Sequence, residues 1–411
     1  MLGVKNKKRL HFAEFITIHK FNMQPEKSKI KPYFNTLQTD LEDHRDPRGK
    51  LHNLAFILCG VVIAVLHGRK SPTSIQRFMS NRHSELIEWT GFQSKSAISI
   101  TQLGRVVREL DWSTYNCINA QYFGVEITEK EESEWIAVDG KELKGSIKVK
   151  SSDGKKEKRG EVIVNAVRHG DKRSVGSIYY HGKKESEKTY ARKLLEEKDL
   201  GVEKLTMDAL HCDPATTSFV ENNGGVYLIQ VKGNQKVLLN QVKTSIEKTP
   251  CLYDETTLDK AHGRIEQRRN QIYSIAHLEF ADRWTSSSIK TLVVTNRFVI
   301  DVKTEKEYTE VSYRISNQPV RKEEFEIMDD LAKAVRGHWS VEADNYVRDV
   351  TLKEDAIKTT KGNNCRTWAS FRTVGLNIIR RFMPKNIPAK IESWVDNTQN
   401  FLLDLKKIGF F

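Results

Sequence analysis

The sequence predicts an α/β fold in which a mixed-direction sheet follows an all-helical region and is interrupted by a β-rich insertion. Three observations lead there. From about 36 to 125 the apolar residues recur at helical spacing, as in Leu51, Ala55, Leu58, Val62 and Leu66. The pattern then changes to short apolar runs bounded by Gly or charged residues: Trp135–Val138, Glu161–Val167, Ser174–Tyr180, Lys204–Met207 and Gly225–Val231. Helical stretches fall between the later runs, at Lys188–Glu197 and after Pro214, which suits a first helical turn. Three successive strands followed by alternating helix and strand make a sheet of mixed direction.

Each element has its own signal. Residues 1–35 read as a basic arm, and 36–128 as a helical domain with a possible DNA contact. Within it Leu54–Leu66 is apolar on nearly all sides, so a buried helix is expected. Further helices are predicted from Ser74 and over Ile98–Leu110, with Ser99 or Thr101 as the cap. Glu129–Glu134 has no apolar residue and reads as a linker. Residues 134–231 and 322–385 carry the sheet and its helices. Between them, 232–321 forms the insertion, with strands predicted at Ile265–Ile275, Ile289–Val299 and Tyr308–Ile315. One long helix is expected from Phe325 to about Val350, and 386–411 reads as a helical tail.

Composition narrows the function. The chain has 411 residues, 38% of them hydrophobic, enough for packed cores. Its longest apolar run is too short to span a bilayer, which takes about 20 residues, and no signal-peptide core follows the basic N-terminus, so a cytoplasmic, membrane-free protein is expected. Five scattered Cys form no Cys-x-x-Cys pair, which argues against a disulfide scaffold or zinc ribbon. The net charge is +13, and residues 141–193 alone hold sixteen Lys/Arg against seven Asp/Glu. Concentrated positive charge attracts polyanions such as nucleic acid, although a solvated basic face looks the same in sequence. Lys155, Lys156, Lys158 and Arg159 are its densest part.

Candidate chemistry sits at the carboxyl ends of strands, where ligands of open α/β sheets collect. Asp139 and Asp208 occupy two such ends, though Asp139-Gly140 is also a strong turn dipeptide. In the long helix, Trp339, Ala343, Tyr346 and Val350 make an apolar stripe expected to be buried. His338, Glu342, Asn345 and Asp349 make a polar stripe about 100° away, at the border of a cleft. Three carboxylates gathered from these places would bind Mg²⁺ through oxygen. Two such ions about 4 Å apart could activate an attacking hydroxyl and stabilise the leaving oxygen of a phosphodiester. Other enzyme classes lack their motifs: Gly140–Ser146 approaches a phosphate loop without its Lys, and Gly-x-Ser-x-Gly and His-Glu-x-x-His are absent.

The blocks WIAVDGKELKGS (135–146), LTMDALHC (205–212), HGRIEQR (262–268) and RGHWSVEADNYVRDVTLKEDA (336–356) resemble, in order, those of bacterial insertion-sequence transposases of the H-repeat-associated subgroup. The segment 43–68 is similar to that subgroup's helical region, and the resemblance runs from about 40 to 380. It implies a ribonuclease-H-like catalytic core with a DDE triad of Asp139, Asp208 and Glu342, which would hold two Mg²⁺ ions, with Mn²⁺ as a substitute. The triad's separations are 69 and 134 residues, the longer one leaving room for the insertion. The same resemblance implies cleavage and strand transfer on double-stranded DNA, both the element's terminal inverted repeats and the target, by a homodimer associated with the nucleoid. Arg264 and Arg268, on one face of a predicted strand, become candidate backbone contacts, and Arg336 and His338 candidates to orient Glu342 or a phosphate. The chain departs from the pattern after Glu342, where Ala343 replaces the usual Asn and Asn345-Tyr346 replaces His-Trp. Two alternatives follow: a transposase-derived DNA-binding protein without full activity, or a structure-specific metal-dependent nuclease.

Overall fold

In a computed structural model the chain is described over residues 32–123, 134–147, 159–182, 186–261, 263–359 and 363–411. Among the described residues six helices come first: α1 (Tyr33–Asp40), α2 (Leu54–Leu66), α3 (Pro72–Asn81), α4 (His83–Thr90), α5 (Ile100–Glu109) and α6 (Trp112–Phe123). All thirteen residues of α2 are buried, as its uniformly apolar sequence requires. Its start is set by Asn53, whose side chain accepts the Phe56 N–H at 2.9 Å. Leu51 therefore precedes the helix and is exposed, contrary to its place in the predicted stripe. Ser99 caps α5 through a reciprocal pair with Gln102, and Ser71 starts α3 at Pro72, two residues before the predicted Ser74.

The sheet holds β1 (Trp135–Glu142), β2 (Glu161–Arg168), β3 (Ser174–His181), β4 (Lys204–Met207), β5 (Val226–Val231), β6 (Cys251–Ala261), β7 (Arg264–Ser274), β8 (Thr291–Asp301) and β9 (Glu307–Ser316). Between strands run α7 (Glu187–Glu197), α8 (Pro214–Asn222) and α9 (Lys236–Ser245). The spatial order is β3-β2-β1-β4-β5-β9-β8-β7-β6. β1, β4 and β5 are parallel to one another, and every other pairing is antiparallel. Strands β6 to β9, from the region expected as an insertion, thus prolong the sheet through β9 against β5. β6 escaped the sequence reading because most of its residues are polar and exposed, which leaves no apolar alternation.

After the sheet come α10 (Phe325–Gly337), α11 (Trp339–Tyr346), α12 (Asn364–Arg380), α13 (Ile387–Asp396) and α14 (Thr398–Lys407). The single helix predicted over 325–350 is divided at Gly337-His338 and ends in a π-turn, Val347–Thr351. A side chain at Gly337 would lie 2.0 Å from the His169 ring, so the close approach of helix to sheet requires glycine. One sheet face packs under α7, α8 and α9, and the other under α10 and, more lightly, α11 and α12. A separate large core joins the N-terminal helices to α12, α13 and α14, with Tyr33, Phe123, Trp394 and Phe410 among its members. The described cysteines are all free thiols. No helix among the described residues is long and apolar enough to cross a membrane.

Candidate active site

β1 and β4 run in parallel register with Val138 beside Met207. The next residues, Asp139 and Asp208, therefore stand side by side. Asp139 is still inside β1, paired with Asn165 of β2, so Asp139-Gly140 is strand and not turn. Gly140 serves another purpose: a Cβ there would come within 2.2 Å of the Glu187 carboxyl, which packs over the strand from the start of α7. Asp208 caps the short turn after β4, accepting the Leu210 N–H at 2.9 Å, and is 43% exposed. Alternation along β1 puts Asp139 on the same face as Ala137, which packs beneath Val341 of α11. From that helix Asn345 donates to the Asp139 carboxylate at 3.4 Å, and Glu342 stands one turn earlier.

The electrostatics tie these groups together. Burial, with the negative charges of Glu187 and Asp208, pushes the Asp139 carboxyl up to about 7. Burial and the charge of Asp208 also raise Glu342, against the pull of Lys232. Asp208 is thus the shared neighbour of carboxylates drawn from three distant parts of the chain. Among the described residues, no three His, Cys, Asp or Glu side chains gather closely enough to form a ready ion-holding group. In donor type and charge the set still fits a divalent cation: the donors are carboxylate oxygens, and their mutual repulsion is what such an ion would relieve.

Two residues the sequence reading missed border this site. Glu187 is the first charged neighbour of Asp139. His211, fully buried, has its Nε2 3.3 Å from Glu187 and 4.0 Å from Asp208, with neither ring nitrogen in a hydrogen bond. His211 lies inside the block LTMDALHC, three residues after Asp208, where the spacing could have flagged it. Glu187, in a lysine-rich helical start, carried no comparable signal.

The remaining candidates scatter. His338 contacts Thr206 of β4 at 3.1 Å, and burial with neighbouring cations pushes its pKa down to about 3. Its ring is neutral and engaged with the sheet, so it does not supply charge to Glu342. Arg336 is half-exposed and pairs with Asp259, with Glu266 at 3.8 Å. Arg264 is exposed near Asp301. Arg268, on the same strand face, is buried: it pairs with Glu266 and lies against Trp339. Arg159 is exposed, while Lys155, Lys156 and Lys158 lie outside the described residues.

The predicted burial of the α11 stripe is reversed. Trp339, Tyr346 and Val350 are 44%, 64% and 44% exposed, and the buried residues are Ser340, Val341, Asp344 and Arg348. A charged interior replaces the expected apolar one. Asp344 binds Arg348 at 2.6 Å and also Arg380, and accepts from Asn165 at 3.0 Å. Lys141 gathers Asp349, Glu354 and Asp355 within 3.3 Å. With every such charge paired, the polar face can be buried, and the aromatic stripe is left beside Glu342.

Comparison with known proteins adds an independent line. Residues 36–122, the N-terminal helices, match the family described as DDE_Tnp_1-associated. YhhI of Escherichia coli K12, provisionally named an H repeat-associated transposase, is 26% identical over 82% of this chain and 88% of its own length. YncI of E. coli O157:H7, provisionally named a transposase, is 28% identical over 81% of this chain and 84% of its own. YbfL of E. coli K12, whose name states no activity, is 27% identical over 82% and 88%.

Proposed function

Because this chain is a relative of the H-repeat-associated transposases over most of its length, we propose that it is a DNA transposase that cuts phosphodiester bonds at the ends of a mobile element and joins them to target DNA. The observation that carries this reading is the parallel register of β1 and β4. It sets Asp139, within β1, beside Asp208 at the end of β4, and the charge of Asp208 reaches both Asp139 and Glu342. The sheet order β3-β2-β1-β4-β5, three antiparallel strands followed by two parallel to the first, supports a ribonuclease-H-like core.

Asp139, Asp208 and Glu342 are the residues that would hold Mg²⁺ or Mn²⁺. Ions bound there would supply Lewis acidity and lower the pKa of a coordinated water or 3′-hydroxyl. The protein's own groups do the positioning. Asn345 orients the Asp139 carboxylate, the Leu210 N–H fixes Asp208, and Thr206, held by His169 at 2.9 Å and His338 at 3.1 Å, ties α11 to β4. Exposed Trp339 and Tyr346 flank Glu342 and offer faces on which a DNA strand can rest. The exposed Arg159 and the adjoining lysine run fit the attraction of the DNA backbone, and pairing two element ends calls for a homodimer.

The test is a strand-cleavage and joining assay on DNA carrying the inverted repeats that flank the gene. Mg²⁺ or Mn²⁺ should support cutting, Ca²⁺ should permit binding alone, and Asp139→Ala, Asp208→Ala and Glu342→Ala should each abolish cutting. Calorimetric Mn²⁺ binding, lost in the same variants, gives a readout independent of activity. Cleavage that persists in Asp139→Ala would overturn the site. A second reading, a DNA-binding relative that no longer cuts, is favoured by Ala343 after Glu342. Binding of the repeats without cutting under any divalent ion would select it.

A further inference from the structure

Beside Glu342 lies a cavity of about 180 Å³ between the insertion strands and the α10–α11 corner. Strand register builds it. Arg268, Arg297 and Glu310 share one rung of β7, β8 and β9; Asn270, Thr295 and Ser312 share the next rung on that face; and Arg314 of β9 lies beside Gln230 of β5. Lys232, Arg336 and Trp339 close it from the other side. Its walls carry five cationic side chains, Lys232, Arg268, Arg297, Arg314 and Arg336, against Glu310 and Glu342.

The cations are not equally satisfied. Glu266, just outside the cavity, takes up Arg268 and Arg297 and lies 3.8 Å from Arg336, so one carboxylate holds the arginine wall in place. Trp339 braces the same two guanidinium groups, at 5.6 and 5.2 Å from its ring. Arg314 has no such partner. Among the described residues it makes no ion pair, only a hydrogen bond to the Ser312 hydroxyl at 2.9 Å. Burial pushes its pKa down to about 10, with Arg268 adding to the effect and Glu310 opposing it. The Nη1 of Arg268 is also buried without a hydrogen-bond partner. A half-buried cation without a carboxylate partner and a buried guanidinium N–H without an acceptor are both costly, and a bound anion with several acceptor oxygens would satisfy both.

We propose that this cavity is a subsite for one backbone phosphate of a nucleic-acid strand, held by Arg314 and Arg268 with Lys232 at its rim. The assignment rests on the DNA reading above, because Glu342 would then face the reacting phosphodiester and the cavity would take a neighbouring phosphate of the same strand. Arg297 and Arg336 complete the positive wall, and the neutral donors Thr295, Ser312 and Gln230 suit ester and phosphoryl oxygens.

The experiment is DNA binding in EDTA, so that neither cutting nor end pairing is required. A short duplex of arbitrary sequence is titrated over a series of salt concentrations. Arg314→Gln should weaken binding about tenfold and flatten the slope of log K against log salt by about one. Arg314→Lys should restore most of the slope. A set of duplexes each carrying one neutral methylphosphonate should include a position that weakens binding to the native protein but not to Arg314→Gln. Exposed Lys232 provides a second variant, Lys232→Gln, with the same expected loss of sensitivity at that position should Arg314→Gln fail to fold. An unchanged slope with every methylphosphonate position still felt by both variants would overturn the subsite. Protection by inorganic phosphate alone, with DNA binding unaltered, would overturn its assignment to nucleic acid. If the DNA is held this way but never cut, the subsite stands and the catalytic reading falls.

Discussion

Two groups of carboxylates meet at helix α11, and the protein treats them in opposite ways. Asp344 points inward, where burial alone would raise its carboxyl, yet the guanidinium groups of Arg348 and Arg380 hold it below the usual carboxylate range. Two residues earlier Glu342 has Asp208 for a neighbour, only partly offset by Lys232, and across the cleft Asp139 has Glu187 and Asp208, with His211 as the opposing influence. One group has its charge cancelled and so is part of the scaffold. The other has been left with its charge open, a standing cost that makes sense where an external cation or substrate completes the balance.

Breaking the cancelled side should have the largest effect. Asp344→Ala leaves Arg380 buried without its anion and Arg348 with only Glu354 at 3.6 Å, and should cost about 3–5 kcal/mol of stability in urea unfolding. A loss under about 1 kcal/mol would show that the network is not what holds α11 down.

On the open side the sign should reverse. Asp139→Asn in EDTA at pH 8 should stabilise the fold by about 1–3 kcal/mol, since it removes a charge that burial and two carboxylates oppose. Thermal unfolding measures it, and destabilisation would contradict the open-charge account. The native protein should show the matching pH dependence. A carboxyl whose pKa is higher folded than unfolded binds more protons when folded, so its contribution falls as pH rises from about 4 to about 7. Asp139→Asn should flatten that part of the stability profile.

The smallest effect is expected at Gly140. Its close neighbour is the flexible end of Glu187, so Gly140→Ala should cost under about 1 kcal/mol while moving that carboxyl away. The combined Gly140→Ala, Glu187→Ala variant should recover the loss, and a larger cost surviving in the pair would mean that the backbone, not Glu187, fills the space.

Most of the fold was legible wherever periodicity or capping chemistry decided it. The apolar run Leu54–Leu66, the Ser99 cap and the strand ending at Met207 follow from local pattern. β6 did not, because an exposed strand needs no apolar alternation. The orientation of α11 also failed to follow: its apolar stripe predicts the buried face only when the other face is unpaired. Arg380 and Asn165, distant in sequence, pay for burying the polar face instead.

By itself the sequence determined which residues could form elements and that Asp208 follows a strand end, since both depend on neighbours a few positions away; that β1 runs on past Asp139 was set by its pairing with β2. It also carried the order of blocks that resemble those of insertion-sequence transposases. Tertiary structure alone decided which charges are neutralised, because Coulomb partners are set by distance in space. That is how Asp344 became scaffold, how Asp139 and Glu187 came to crowd one another, and how Arg314 was left facing an open cavity.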